Sequence, residues 1–179
     1  MEIQYKEIPK NILNHLPRGL KLVRRSGKSF LVIENTFCPN GHSLMDNSIL
    51  INGIPAVRIK ISDGLTTGYI YCDSFWGSHA KLYSFIPKHT DSLDSYNVCC
   101  PICDANMIVE RKCTQENCNS NKEVELILPG NNKIFVCAKL GCPGHYMEIK
   151  EAPNQIVKSI SDINYFIEEL DYDDFFKGV

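Results

Sequence analysis

A mainly β fold is what this 179-residue sequence predicts: an antiparallel sheet or small barrel, a metal-clipped hairpin region and short terminal helices. Three observations lead there. Short runs rich in Val, Ile, Tyr and Phe recur between turn residues. One of them alternates cleanly, with Val57, Ile59 and Ile61 on a single face. Cysteines and a histidine fall in close pairs, the spacing that presents two ligands of one turn to one ion.

In chain order, apolar residues at 8, 12, 13 and 16 have helical spacing, with Pro9 suited to a first turn and Pro17 and Gly19 ending it. Residues 20–25 and 29–34, separated by Ser26-Gly27-Lys28, read as a hairpin. Strands follow at 56–61, 68–72 and 80–86, with Asp63-Gly64 marking a turn between the first two. Residues 87–98 are polar and read as a linker. Glu-Val-Glu-Leu-Ile-Leu, then Pro129 to Asn132, then Lys-Ile-Phe-Val reads as strand, turn, strand. Residues 161–170 begin at a capping serine, carry apolar side chains at 163, 166, 167 and 170, and predict an amphipathic helix; Asp171, Asp173 and Asp174 form an acidic tail. The organisation expected is an antiparallel β domain over 1–98, a metal-rich region over 99–150 and a terminal helix with its tail over 151–179.

Composition narrows the function. Hydrophobic residues are 44% and charged residues 22%, a globular balance. With 19 Lys and Arg against 21 Asp and Glu, the net charge is -2, which argues against a general polyanion binder. No apolar run approaches the roughly 18 residues of a membrane helix, so no membrane partner is expected. The start, MEIQYKEIPK, lacks the apolar core of a signal peptide, and a cytoplasmic location is expected.

The outlier is 9 Cys with 5 His. An odd count at close spacing in a reducing compartment favours metal over disulfides. The pairings are Cys38 with His42, Cys100 with Cys103, Cys113 with Cys118, and Cys137 with Cys142. A hairpin between Cys118 and Cys137 brings its outer ends together, so Cys113, Cys118, Cys137 and Cys142 should share one ion. Cys38, His42, Cys100 and Cys103 then form a site of three cysteines and a histidine, joining the two halves of the chain. Two zinc ions are expected, with iron as the rival metal; the closely spaced cysteine run of cluster-binding ferredoxins is absent. Pro39, Pro101 and Pro143 each follow a ligand and preset a tight turn, while Gly41 and Asp104 sit where a left-handed residue is needed. Cys142-Pro-Gly-His145 echoes Cys38-Pro-Asn-Gly-His42, so His145 stands as an alternative to Cys137, and Cys99 as an alternative to its neighbour Cys100. Cys72, in an alternating segment, reads as a small buried hydrophobe.

Cys100-Pro-Ile-Cys103, Met107-Ile-Val and Ile134-Phe-Val-Cys137-Ala-Lys-Leu-Gly-Cys142 resemble a zinc ribbon of the kind repeated at the C-termini of bacterial type I topoisomerases. The resemblance covers 99–149. It implies metal, a hairpin, contact with nucleic acid and a ligand set of Cys100, Cys103, Cys137 and Cys142.

Several signals of catalysis fail. Ser26-Gly27-Lys28-Ser29 has the end of a phosphate-binding loop, but Leu22 stands where glycine is required and a strand-like run follows. No deaminase signature and no nucleophile elbow occur. Asp73, Trp76 and His79 form a polar–aromatic stretch that reads as a strand-connecting loop or a ligand loop. Lys21, Arg24, Arg25 and Lys28 make a basic hairpin, a solvated face or a contact for phosphate. The function expected is a non-enzymatic zinc protein with two structural sites, serving as a binding or adaptor module for protein or nucleic acid. A nucleic-acid-binding ribbon protein and an iron redox protein are the alternatives.

Overall fold

The computed structural model describes residue 8 and residues 10–62, 65–85, 96–139 and 141–163. Among these residues the fold is mainly antiparallel β, with eleven strands in three open sheets and two short helices. The predicted turn at Asp63-Gly64 and most of the predicted linker and terminal helix lie outside them.

After helix α1 (Lys10–Leu13) the chain forms a two-stranded ribbon, β1 (Leu20–Arg25) and β2 (Lys28–Ile33). The turn between them uses only Ser26 and Gly27, both at positive φ, which matches the strand twist. α1 is shorter than the 8–16 pattern predicts. Pro17 disfavours the helical region for Leu16, and the chain turns at residues 14–15 instead.

The second sheet contains β3 (Met45–Ile51), β4 (Ile54–Ser62), β5 (Thr67–Cys72) and β6 (Lys81–Tyr83) in that order. β3 was not predicted: it is an edge strand with an irregular register and polar residues at 46–48, so it shows no alternation. A fifth strand, β7 (Asn97–Cys99), pairs with the far end of β4. The end of the predicted 87–98 linker is therefore sheet, because Val98 fills a buried place beside Ile61. The third sheet is β8 (Ile108–Glu110), β9 (Lys122–Leu128), β10 (Asn132–Cys137) and β11 (His145–Glu148), ordered β11-β10-β9-β8.

Backbone contacts stitch the two larger sheets together. Phe37 and Ile127 exchange N–H···O bonds of 2.8 and 2.9 Å, and Met107 N–H donates to Val98 O at 2.9 Å. One core joins the facing sides. Val57, Ile59, Ile61 and Ile70 come from the second sheet, and Val124, Leu126, Leu128, Ile134 and Met147 from the third.

Helix α2 (Asn154–Ser161) closes this core with Ile156, Val157 and Ile160. It begins seven residues before the predicted helix and stops where that one was to start. Ser161-Asp162 looks like a helix start, yet Asp162 is the C-cap, its N–H donating to Lys158 O at 2.9 Å. No helix among the described residues is long and apolar enough to cross a membrane.

Candidate metal centres

The eight paired side chains converge as two groups: Cys38, His42, Cys100 and Cys103, and Cys113, Cys118, Cys137 and Cys142. Within each group the ligand atoms all lie within 4.8 Å of one another. All nine cysteines are free thiols.

The first group sits where the two larger sheets meet. Its first turn is closed by Cys38 N–H to His42 O at 3.0 Å and Gly41 N–H to Cys38 O at 2.9 Å, with Gly41 at φ 84°. Its second turn is closed by Asp104 N–H to Cys100 O at 3.1 Å and Cys100 N–H to Ala105 O at 2.9 Å, with Asp104 at φ 57°. Cys38 Sγ is 3.6 Å from His42 Nδ1 and 3.9 Å from Cys103 Sγ. Lys60 on β4 holds the second turn through Asp104, 2.6 Å away.

The second group is built on the β9–β10 hairpin, whose register sets Cys137 opposite Glu123 and so returns the chain to the loop carrying Cys113 and Cys118. Cys113 Sγ lies 3.7 Å from Cys142 Sγ, and Cys118 Sγ 3.7 Å from Cys137 Sγ. Three of the four are buried.

N–H groups surround the sulfurs. The residue two positions on donates to Cys100, Cys113, Cys137 and Cys142 at 3.4–3.5 Å; His42 N–H donates to Cys38 and the Asn40 amide to Cys103. Such donors stabilise thiolate charge and orient the sulfurs. The Ala105 backbone N–H, with help from Asn40, draws the Cys103 thiol down to about 6, against the push of its partial desolvation. In the second group, burial raises Cys113 to about 11 and pushes Cys137 higher still. At Cys118 burial pushes upward too, but the Ser120 N–H and neighbouring thiols carry it below its ordinary value.

Gly144 lies hard against the second group. A Cβ there would stand 2.5 Å from Cys113 Sγ and 3.2 Å from Cys137 Cβ, both set by the ligand geometry. Gly144→Ala is expected to remove metal from the second group alone, halving the ions per chain; elemental analysis of the purified variant checks it.

The ligand set implied by the ribbon resemblance, Cys100 and Cys103 with Cys137 and Cys142, is not what assembles: the first pair faces Cys38 and His42. Neither alternative ligand joins a group. Cys99 lies on β7 opposite Lys60. His145 is buried; its Nδ1 is 2.9 Å from Pro143 O and its Nε2 is 2.6 Å from Ile163 O. Cys72 packs against the core.

The loop of Asp73, Trp76 and His79 is tightly built. Asp73 Oδ1 accepts Phe75 N–H, and Oδ2 accepts the Asn52 amide and the Ser78 hydroxyl, each at 2.7 Å. Burial still raises its carboxyl above the ordinary value. Trp76 Nε1–H donates to Ile160 O at 2.7 Å, and His145 lies between Trp76 and His79, with ring centroids at 4.8 and 5.5 Å.

On the basic hairpin, Lys21 pairs with Glu34 at 3.1 Å, while Arg25 donates to Asn52 O and lies over the Phe75 ring. Arg24 and Lys28 share the same ribbon. Comparison with protein-family models, curated proteins and solved structures finds no match, so function must be read from the two groups themselves.

Proposed function

We propose that this chain is a non-enzymatic zinc protein whose two ions are structural and whose folded surface is a binding module. The observation that carries the reading is the pair of four-ligand groups on rigid turns. Four sulfurs at the Zn–S distance of about 2.3 Å from a common ion stand about 3.8 Å apart at tetrahedral angles, and a sulfur and an imidazole nitrogen about 3.5 Å apart. The contacts of 3.7, 3.7 and 3.9 Å between sulfurs and 3.6 Å between sulfur and nitrogen fit those values. Four protein ligands leave no position for an activated water, so the ion holds shape. Nine free thiols suit a reducing compartment.

Elemental analysis of anaerobically purified protein tests this. About two zinc ions per chain are expected. Stoichiometric iron would overturn the zinc assignment and move electron transfer to the front; no stoichiometric metal would overturn both centres.

The protonation of the metal-free thiols gives a second expectation. A thiol that is protonated at neutral pH must release its proton to bind metal. Burial raises two thiols of the all-cysteine centre, Cys113 and Cys137, but only Cys100 in the first group, where Cys103 is drawn down to about 6; each centre has one lowered thiol, Cys118 and Cys103. Zinc loading of the all-cysteine centre is therefore expected to release more protons, and its affinity to fall more steeply in acid. Loading Cys38→Ser and Cys142→Ser variants in a weakly buffered indicator dye compares the two centres.

A further inference from the structure

The facing sheets leave a cavity of about 90 Å³ between Val57, Ile59 and Ile70 on one side and Val124, Leu126 and Ile134 on the other. Natural cores keep such voids few, because their walls lose contact partners. The loop at 73–80 closes one end. There the lining residues Cys72, Ser78, His79, Ala80 and Lys81 are half-buried, so the cavity meets solvent past them. This mouth is rigid. Trp76 fastens the loop to α2, Ser74 Oγ donates to Pro55 O at 2.5 Å, and Asp73 ties Phe75, Ser78 and Asn52 together.

The register sets Lys81 opposite Cys72, so both project from the inner face of the sheet, and both line the cavity. Lys81 thus brings an ammonium group to the mouth of an apolar chamber. Asp73 lines the cavity as well and carries the opposite charge, but its oxygens face three donors of the protein, Phe75 N–H, the Ser78 hydroxyl and the Asn52 amide. The ring nitrogens of His145 are likewise directed at backbone carbonyls. An apolar body with an anionic end is the complement of this arrangement. A cavity of about 150 Å³ accepts the six carbons of benzene, so by proportion this one takes about four.

We propose that the cavity is a binding site for a short-chain carboxylate of about four carbons, its hydrocarbon held between the sheets and its carboxylate on Lys81. The first metal group contributes nothing to the lining, and the second contributes only Cys137, so the cavity is tested in the metal-loaded chain.

Titration of the full metal-loaded chain, followed by amide and methyl NMR, tests it with butyrate, 1-butanol, butylamine and acetate as probes. Butyrate is expected to shift the resonances of Ile70, Val124 and the Trp76 indole. Butanol, lacking the charge-assisted contact, should bind about ten-fold more weakly. Butylamine should not bind, and acetate should lose the apolar part of the affinity. Lys81→Gln, at a half-buried rim position, should erase the preference for butyrate over butanol. No shift at the cavity residues would overturn the site. Equal binding of butyrate and butanol, or an undiminished preference in Lys81→Gln, would overturn the carboxylate assignment.

Discussion

Cys118→Ser and Cys137→Ser are each expected to empty the all-cysteine centre and to unfold the end of the third sheet that it clips. Both side chains are buried, and each sulfur is 3.7 Å from the other. A serine hydroxyl is no zinc ligand at neutral pH, so three ligands and a buried hydroxyl would remain. Structural zinc contributes roughly 10–16 kcal/mol of apparent binding free energy in small zinc modules, which is folding free energy where the apo site does not persist. Few other contacts fix the loop of Cys113 and Cys118: around it the cluster is the cysteines themselves. On the reading of two bound ions, the metal content should fall from two to one, and amide protection should be lost over 111–122 and 137–145. Protection in β4 and β5 should persist, because their core does not depend on this centre. Cys100→Ser should act differently. It removes the ion at the seam between the two larger sheets, so protection should fall at Phe37, Ile127 and Met107, whose N–H groups donate across that seam. Cys99→Ser should leave two ions in place. Full metal content and unchanged melting in Cys118→Ser would show that the ligand assignment is wrong.

The metal groups were legible because their information is local. Each turn carries its ligands within five residues of one another, and a single hairpin, recognised from Pro129-Gly130 between two β-rich runs, decides how the turns pair. The strands at 56–61 and 68–72 were legible for a similar reason: alternation against a buried face leaves a period of two. β3 left no such trace, since it lies at a sheet edge and alternates poorly. Its one signal was Asn52-Gly53, a two-residue turn in which both φ values are positive, at 53° and 73°. That dipeptide is the strongest short-range mark of a hairpin and could have placed β3. The role of His145 could not be read at all, because its neighbours Trp76, His79 and Ile163 come from distant parts of the chain. The same is true of the cavity, which arises from a mismatch between two sheet faces and has no sequence pattern. Ser161 reads as a helix start but ends α2, because short polar residues serve at either end of a helix; the expected helix beyond residue 163 lies outside the described residues.

Arg111→Ala is expected to lower the unfolding free energy by about 3 kcal/mol, the scale for stranding one member of a buried ion pair. Glu123 is 1% exposed in the middle of the third sheet, and Arg111 Nε lies 3.1 Å from its Oε2. That oxygen receives no aligned hydrogen bond, so the nearby guanidinium charge is its main compensation. Arg111 is itself held between the rings of Phe135 and Tyr146, at 4.1 and 4.6 Å, and it also faces Glu148 at 3.8 Å. Lysine would keep the charge but lose the planar stacking, so Arg111→Lys should fall between wild type and alanine. Burial raises the Glu123 carboxyl above its ordinary value, and the Arg111 charge pulls it back. A carboxyl raised in the folded state favours folding when protonated, and that contribution fades as pH rises through the folded-state value. Without Arg111 the carboxyl rises further. The deficit of Arg111→Ala relative to wild type should therefore grow as pH rises above the ordinary carboxyl range, instead of staying constant as a lost packing contact would. Adding Glu123→Leu to Arg111→Ala should restore most of the stability, since no uncompensated charge then remains in the sheet. Urea unfolding of the metal-loaded variants at increasing pH measures both effects. A pH-independent deficit, or a double variant no more stable than Arg111→Ala, would mean that Arg111 acts through its ring contacts alone.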